Sequence, residues 1–141
     1  MKALLSIKPE FVKEILNGTK KYEYRRRLFK KEVDSVLIYS TKPVGAVVGE
    51  FTIEKLICKD KKELWKESKE FSGISYNHYQ TYFKGCKEAC AIKIKSVYIY
   101  KTPKMLDEIK IGLKAPQSFS YIYDDNNLTS LSLETNSKEK V

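Results

Sequence analysis

No stretch of this 141-residue chain approaches the roughly 18 consecutive apolar positions of a membrane-spanning helix. The opening Met-Lys-Ala-Leu-Leu-Ser lacks the apolar core of a secretory signal. Cysteine is scarce as well: Cys58, Cys86 and Cys90 cannot all pair internally, which predicts a reduced, cytoplasmic protein with no membrane role. Cys86 and Cys90 stand at a helical spacing, but a single histidine, His78, and the lack of a second cysteine pair argue against a zinc site. No internal repeat is visible, and no motif requires a metal or a cofactor.

What the chain has in excess is positive charge in one place. Between Gly18 and Lys31 stand Lys20, Lys21, Arg25, Arg26, Arg27, Lys30 and Lys31 against a single acid, Glu23, which is +6 of the formal +9 of the whole chain. Like charges packed this closely repel one another unless a counter-charge arrives, so an anionic ligand or polyanion is expected here. Tyr22 and Tyr24 are interleaved with the run. A residue composition that is 42% hydrophobic and 12% aromatic is enough for one packed domain. The expected domain spans 1–123. From 124 to 141 periodicity and aromatics disappear, which predicts a flexible polar tail.

Residues 2–7 read as a strand, and Pro9 with Glu10 opens a helix whose Phe11, Val12, Ile15 and Leu16 share a face and which Gly18 stops. From Lys21 to Arg27 the pattern alternates, with Tyr22, Tyr24 and Arg26 on one face and Lys21, Glu23, Arg25 and Arg27 on the other. Val33–Tyr39 and Val44–Ile57 read as central strands around the turn residues Thr41, Lys42 and Pro43. Asp60 with Glu63 caps a helix running to about Glu70, and Ser75 caps a second that ends at Gly85. Ala89–Tyr100 is a long strand whose apolar parity switches near Lys95 and Ser96, the signature of a bulge. Thr102-Pro103 opens a short helical turn, and Ala115–Phe119 marks another. The fold class expected is α+β: a small mixed, mainly antiparallel β-barrel with peripheral helices.

The run Ser6-Ile7-Lys8-Pro9, followed by Asn17-Gly18-Thr19-Lys20-Lys21-Tyr22-Glu23-Tyr24-Arg25, resembles the ASCH domain family, whose signature Gly-x-Lys-x-x-Glu-x-Arg reads here as Gly18, Lys20, Glu23 and Arg25. Val47–Phe51, the acidic helix with Trp65, Ala91–Ile94 and Pro116-Gln117-Ser118-Phe119 extend the resemblance over about residues 2–121. It implies a PUA-like barrel, a cleft lined by the signature residues, and a role with RNA. Some members act as amidohydrolases on acetylated cytidine and others are described as ribonucleases. For the amidohydrolase motif, Lys20 matches the lysine and Glu70 the distant glutamate, whereas Glu23 stands where the nucleophilic threonine belongs.

Read as chemistry, Lys20 offers a mobile ammonium, Glu23 an acceptor, and Arg25 a planar fork for phosphate. The candidate ligand-binding set is Lys8, Lys20, Tyr22, Glu23, Arg25, Arg26, Arg27, Ser40, Gln117 and Ser118. Lys20 and Glu23 form the candidate acid–base pair, with Glu70 as assistant. A solvated, lysine-protected strand edge is the plainer account of the charge. Tyrosines on strands are more often packing than stacking platforms, and His78 reads as a surface or packing residue. Three functions stay open: an RNA-binding module, an enzyme acting on RNA or a modified nucleoside, and a nucleotide-sensing adaptor. RNA or a nucleotide is the expected partner and a monomer the expected state.

Overall fold

Caps and turn residues set the element boundaries in the computed structural model, which describes residues 1–123; the polar tail expected from residue 124 lies outside the described residues. Strand β1 (Lys2–Ile7) leads into helix α1 (Pro9–Leu16), which has proline in its first turn, Glu10 at its positive end, and Val12 and Ile15 buried. Gly18 ends the excursion at φ +87°, a conformation only glycine adopts without strain. Strand β2 (Tyr22–Arg25), β3 (Ser35–Ser40) and β4 (Ala46–Lys59) follow.

Asp60 caps α2 (Lys61–Ser68), accepting hydrogen bonds from the amides of Lys62 and Glu63, and a single 3-10 turn, Lys69–Phe71, extends it. Ser75 accepts from the His78 amide to cap α3 (Tyr76–Tyr82). The long β5 (Ala89–Lys104), short α4 (Leu106–Ile109) and β6 (Phe119–Ile122) complete the described chain.

The six strands form one curled sheet in the order β2-β5-β4-β3-β1-β6, with β1 and β3 parallel and every other pair antiparallel. The bulge expected near Lys95 is present: Thr52 faces Ser96 and Ile53 faces Ile94, which leaves Lys95 unopposed and turns the strand. The outer strands β2 and β6 do not pair with each other, so the sheet stays a half-barrel. Its gap is spanned by side chains. Phe29, from the loop after β2, is buried against Phe119 (ring centroids 5.0 Å) and Tyr121 (6.3 Å) of β6. One core joins α1 to the sheet around Leu5, Ile15, Ile38, Phe51 and Ile92. A second lies under α2 and α3 around Tyr22, Tyr24, Leu64, Tyr79 and Phe83.

Several expectations need correction. The basic strand is shorter than Lys21–Arg27: it pairs with β5 only from Tyr22 to Arg25, which faces Cys90, and the register carries Arg27 past the start of β5 at Ala89. Nor is either face of β2 an open charged surface, since Tyr22, Glu23 and Tyr24 are all buried. Thr102 and Pro103 continue β5, where Lys104 still pairs with Val47, and the helical turn comes three residues later; Ala115–Phe119 holds no helical turn, and Phe119 opens β6. The cysteines are not all free thiols. The β4–β5 register sets Cys58 opposite Cys90, their Cα atoms 4.2 Å apart and their sulfurs joined, while Cys86 stays free in the turn before β5 instead of sharing a helix with Cys90.

Candidate functional site

At the sheet's gap the chain encloses a cleft of about 310 Å³, bordered by Ser6 to Phe11 at the start of α1, by β2 and its flanks, by α3, and by Gln117 and Ser118 before β6. This is the lower end of the size range of ligand pockets. The charged members of its wall are Lys8, Lys20, Glu23, Arg25 and Arg26. Each is placed by an identifiable local device. The Ser6 hydroxyl donates to the Pro116 carbonyl at 2.6 Å and the Ser6 amide to the Ser118 carbonyl at 3.2 Å, which fastens the Gln117–Ser118 wall to β1.

Lys20, only 2% exposed, donates from Nζ to the Ser72 carbonyl, with its ammonium 4.9 Å from the centre of the Tyr24 ring and 5.4 Å from that of Phe11. Burial holds its pKa below the ordinary lysine value, and the carboxylates of Glu23 and Glu14 act in the opposite sense. Gly73 makes room for it: a Cβ there would come within 2.8 Å of three methylene carbons of the Lys20 stem. Glu23, 6% exposed, accepts from Arg25 Nη1 at 3.2 Å, and Arg25 Nη2 donates to Ser118 Oγ at 2.6 Å across the gap between β2 and β6. The signature residues therefore converge on a concave, solvent-reachable surface, with the guanidinium held on both sides.

Tyr24 forms part of the wall. Its hydroxyl is 2.6 Å from Ser68 Oγ, which in turn donates to the Leu64 carbonyl, and burial raises its pKa well above the ordinary tyrosine value. It remains a neutral phenol at working pH. Arg26 donates from Nε to the Tyr82 carbonyl at 2.9 Å and lies 4.3 Å from the centre of that ring. Among the described residues no group of three His, Cys, Asp or Glu side chains is placed to hold a metal ion.

The other candidate residues lie elsewhere. Tyr22 is buried in the second core and faces a neighbouring groove, which it shares with Lys20, Glu54, Glu67, Glu70 and Phe71. Glu70, the proposed assistant, is therefore not in the cleft with Glu23. Arg27 is exposed beyond the cleft's lining, and Ser40 is enclosed between β1 and β4. In return the cleft contains His78, Ile74 and Tyr82. His78 and Tyr82 are four apart on α3 and so share a face, one step round from the buried Tyr79 and Phe83, while Ile74 reaches the cleft from the turn before the Ser75 cap. The His78–Tyr82 spacing was visible in the sequence once Ser75 was taken as the cap. His78 also meets Phe11 edge-on at 5.4 Å, which ties α3 to α1 across the cleft.

The sequence profile of the ASCH domain matches residues 5–114. The chain belongs to the ASCH domain family. It is 29% identical over 134 residues to a protein of Zymomonas mobilis subsp. mobilis named ASCH domain-containing ribonuclease, covering 93% of this chain and 90% of that one. The crystal structure of ASCH from Zymomonas mobilis superposes with a TM-score of 0.81 at 29% identity, covering 94% of each chain. A segment is also 36% identical over 87 residues to a Ureaplasma parvum protein named large ribosomal subunit protein uL22. That match takes in 62% of this chain and 28% of the other, so the shared part there is one piece of a longer protein. The barrel-like α+β fold is thus that of the ASCH structures.

Proposed function

We propose that this ASCH domain acts on RNA, holding one nucleotide of a single strand in an electropositive cleft at the gap of the half-barrel. The observation that carries the reading is the convergence of Lys20, Glu23 and Arg25 in that cleft. Lys20 and Arg25, with Lys8 and Arg26 at the rim, supply cations and a planar fork to a phosphate. Glu23 supplies an acceptor for an exocyclic amine. Tyr82, half-buried with Arg26 against it, gives a flat apolar wall for a base. Among the described residues no helix presents the basic exposed face that a reader of the DNA major groove needs, whereas a narrow cleft suits an unpaired strand. With the two phosphates that flank one nucleotide neutralised in the cleft, affinity for a short RNA falls roughly sevenfold between 50 and 200 mM salt. Titration by fluorescence anisotropy checks this, and an affinity indifferent to salt overturns it.

The relative named a ribonuclease, matched along 90% of its length, favours a second reading in which the bound strand is also cut. Here Glu23 takes the proton of a ribose 2′-hydroxyl, and that oxygen attacks the neighbouring phosphorus. The bond to the 5′-oxygen breaks as Lys20 protonates it, and Arg25 balances the charge gathering on the phosphoryl oxygens. The products are a 2′,3′-cyclic phosphate and a free 5′-hydroxyl. Glu23→Gln keeps an oxygen acceptor for Arg25 but loses the base. Turnover of a short RNA is expected to fall about a hundredfold or more while its Kd changes little. Unchanged turnover in the variant removes Glu23 from the chemistry, and RNA bound but never cut by the unaltered chain reduces the protein to a binding module. The amide-hydrolase reading gains nothing, because Glu23 occupies the hydroxyl's position and Glu70 lies in the other groove.

A further inference from the structure

The cleft accounts for only the first part of the basic run. Lys20, Arg25 and Arg26 line it, Lys21 turns to the reverse side over the Phe71 ring at 4.3 Å, and Arg27, Lys30 and Lys31 extend past it. All three of these outer cations are exposed, and none has a carboxylate partner among the described residues. The loop that carries them is nevertheless pinned. Phe29 is buried against β6, and the Tyr121 hydroxyl accepts the backbone amides of Lys30 at 2.9 Å and Lys31 at 3.2 Å.

Lys31 then reaches back over two rings. Its ammonium is 5.3 Å from the centre of Tyr121 and 4.8 Å from that of Tyr123, and it donates to the Tyr123 hydroxyl at 2.6 Å. Tyr123 is 51% exposed, although an aromatic ring ordinarily hides more of its surface than that. The site thus combines fixed cations with an exposed aromatic face.

It is also continuous with the cleft. Ser118 belongs to the cleft wall, and Tyr121 and Tyr123 follow along β6, roughly 10 and 16 Å away at the rise of an extended strand. Strand β6 is an outer strand of the sheet, with β1 as its sole strand partner among the described residues. We infer that Arg27, Lys30, Lys31, Tyr121 and Tyr123 form a second subsite that carries the nucleotides flanking the one in the cleft, phosphates on the lysines and a base on Tyr123. Alternating cations and aromatic faces are how single-stranded nucleic acid is held without regard to sequence. The inference rests on the RNA reading of the cleft and extends it from one nucleotide to a few.

The test compares two RNA lengths, a dinucleotide and an octanucleotide of the same composition, on the full chain and on its Lys30→Ala/Lys31→Ala variant. Neither lysine side chain packs in a core, and both backbone bonds to Tyr121 survive. Octanucleotide affinity is expected to fall about tenfold, and the slope of log affinity against log salt to shrink by about 1.4, the share of two phosphate contacts. Dinucleotide affinity should stay within twofold. Tyr123→Ser should weaken the octanucleotide alone, with the salt slope unchanged, since a stacking face carries no charge. Equal losses for both lengths, or no loss for either, overturn the subsite and leave the lysines as edge protection. If the unaltered chain binds neither RNA, the reading of the cleft itself fails and the subsite fails with it.

Discussion

Gly49→Ala is expected to lower the unfolding free energy by about 3 kcal/mol and the melting temperature by roughly 10 °C. A Cβ at Gly49 would stand 2.4 Å from the Tyr98 carbonyl oxygen and 3.4 Å from Ile99 Cα, atoms of the neighbouring backbone and not the ends of flexible side chains. Gly49 pairs with Ile38 on one side and Ile99 on the other, inside the central strand of the sheet, where both ladders change register within two residues. Backbone cannot swing away as a lysine tip would. Either β5 must shift, which disturbs the strand beside β2 and the cleft, or the contact remains as strain. Gly18→Ala is the control. It meets nothing within 4 Å, and its cost is the left-handed φ of +87° alone, of order 1 kcal/mol. Thermal unfolding followed by circular dichroism measures both. A Gly49→Ala loss no larger than that of Gly18→Ala would show that β4 and β5 are not in close register here.

Much of this architecture was legible in the sequence because its signals are local. Asp60, Ser75, Gly18 and Gly85 act within one helical turn of themselves, and the parity switch at Lys95 is carried by the strand that bulges. The convergence of Lys20, Glu23 and Arg25 was anticipated from a short signature on one strand and its approach. What escaped was set by distant partners. The depth of β2 depends on α2 and α3, from forty or more residues later, which bury Tyr22 and Tyr24 and so convert a strand that looks like a charged edge into an enclosed one. The separation of Glu70 from Glu23 has the same origin, since the 3-10 turn after α2 puts Glu70 in the neighbouring groove, whose lining does not include Glu23. His78 was read as a surface or packing residue, and Tyr79, Tyr82 and Phe83 as the buried face of its helix. The place of His78 and Tyr82 in the cleft wall acquires meaning only when Phe11 and Lys20 stand beside them.

Lys20→Met is expected to cost tenfold or more in RNA affinity while changing stability by no more than about 2 kcal/mol. The two effects separate because they have different sources. In the folded chain the ammonium is almost fully withdrawn from water, so its removal relieves a desolvation penalty, and methionine fills the same channel between Gly73 and the rings of Tyr24 and Phe11. Against this, the Ser72 carbonyl loses a charge-assisted hydrogen bond of about 1.5–3 kcal/mol. For the ligand nothing offsets the loss, because a phosphate that met a positive charge now meets a thioether. The pH dependence carries a sign that identifies the residue. The folded pKa of Lys20 lies below the 10.5 of an ordinary lysine, so between the two values the unfolded chain binds the proton that the folded chain has released. Stability contributed at Lys20 therefore rises with pH across that window, whereas RNA affinity falls there as the cleft loses its cation. Lys20→Arg, whose guanidinium stays charged, should hold its affinity through the same window. Anisotropy titrations from pH 7 to the onset of alkaline unfolding measure all three chains. Identical affinity profiles for the unaltered protein and Lys20→Met would show that the buried ammonium serves the fold and does not meet the RNA.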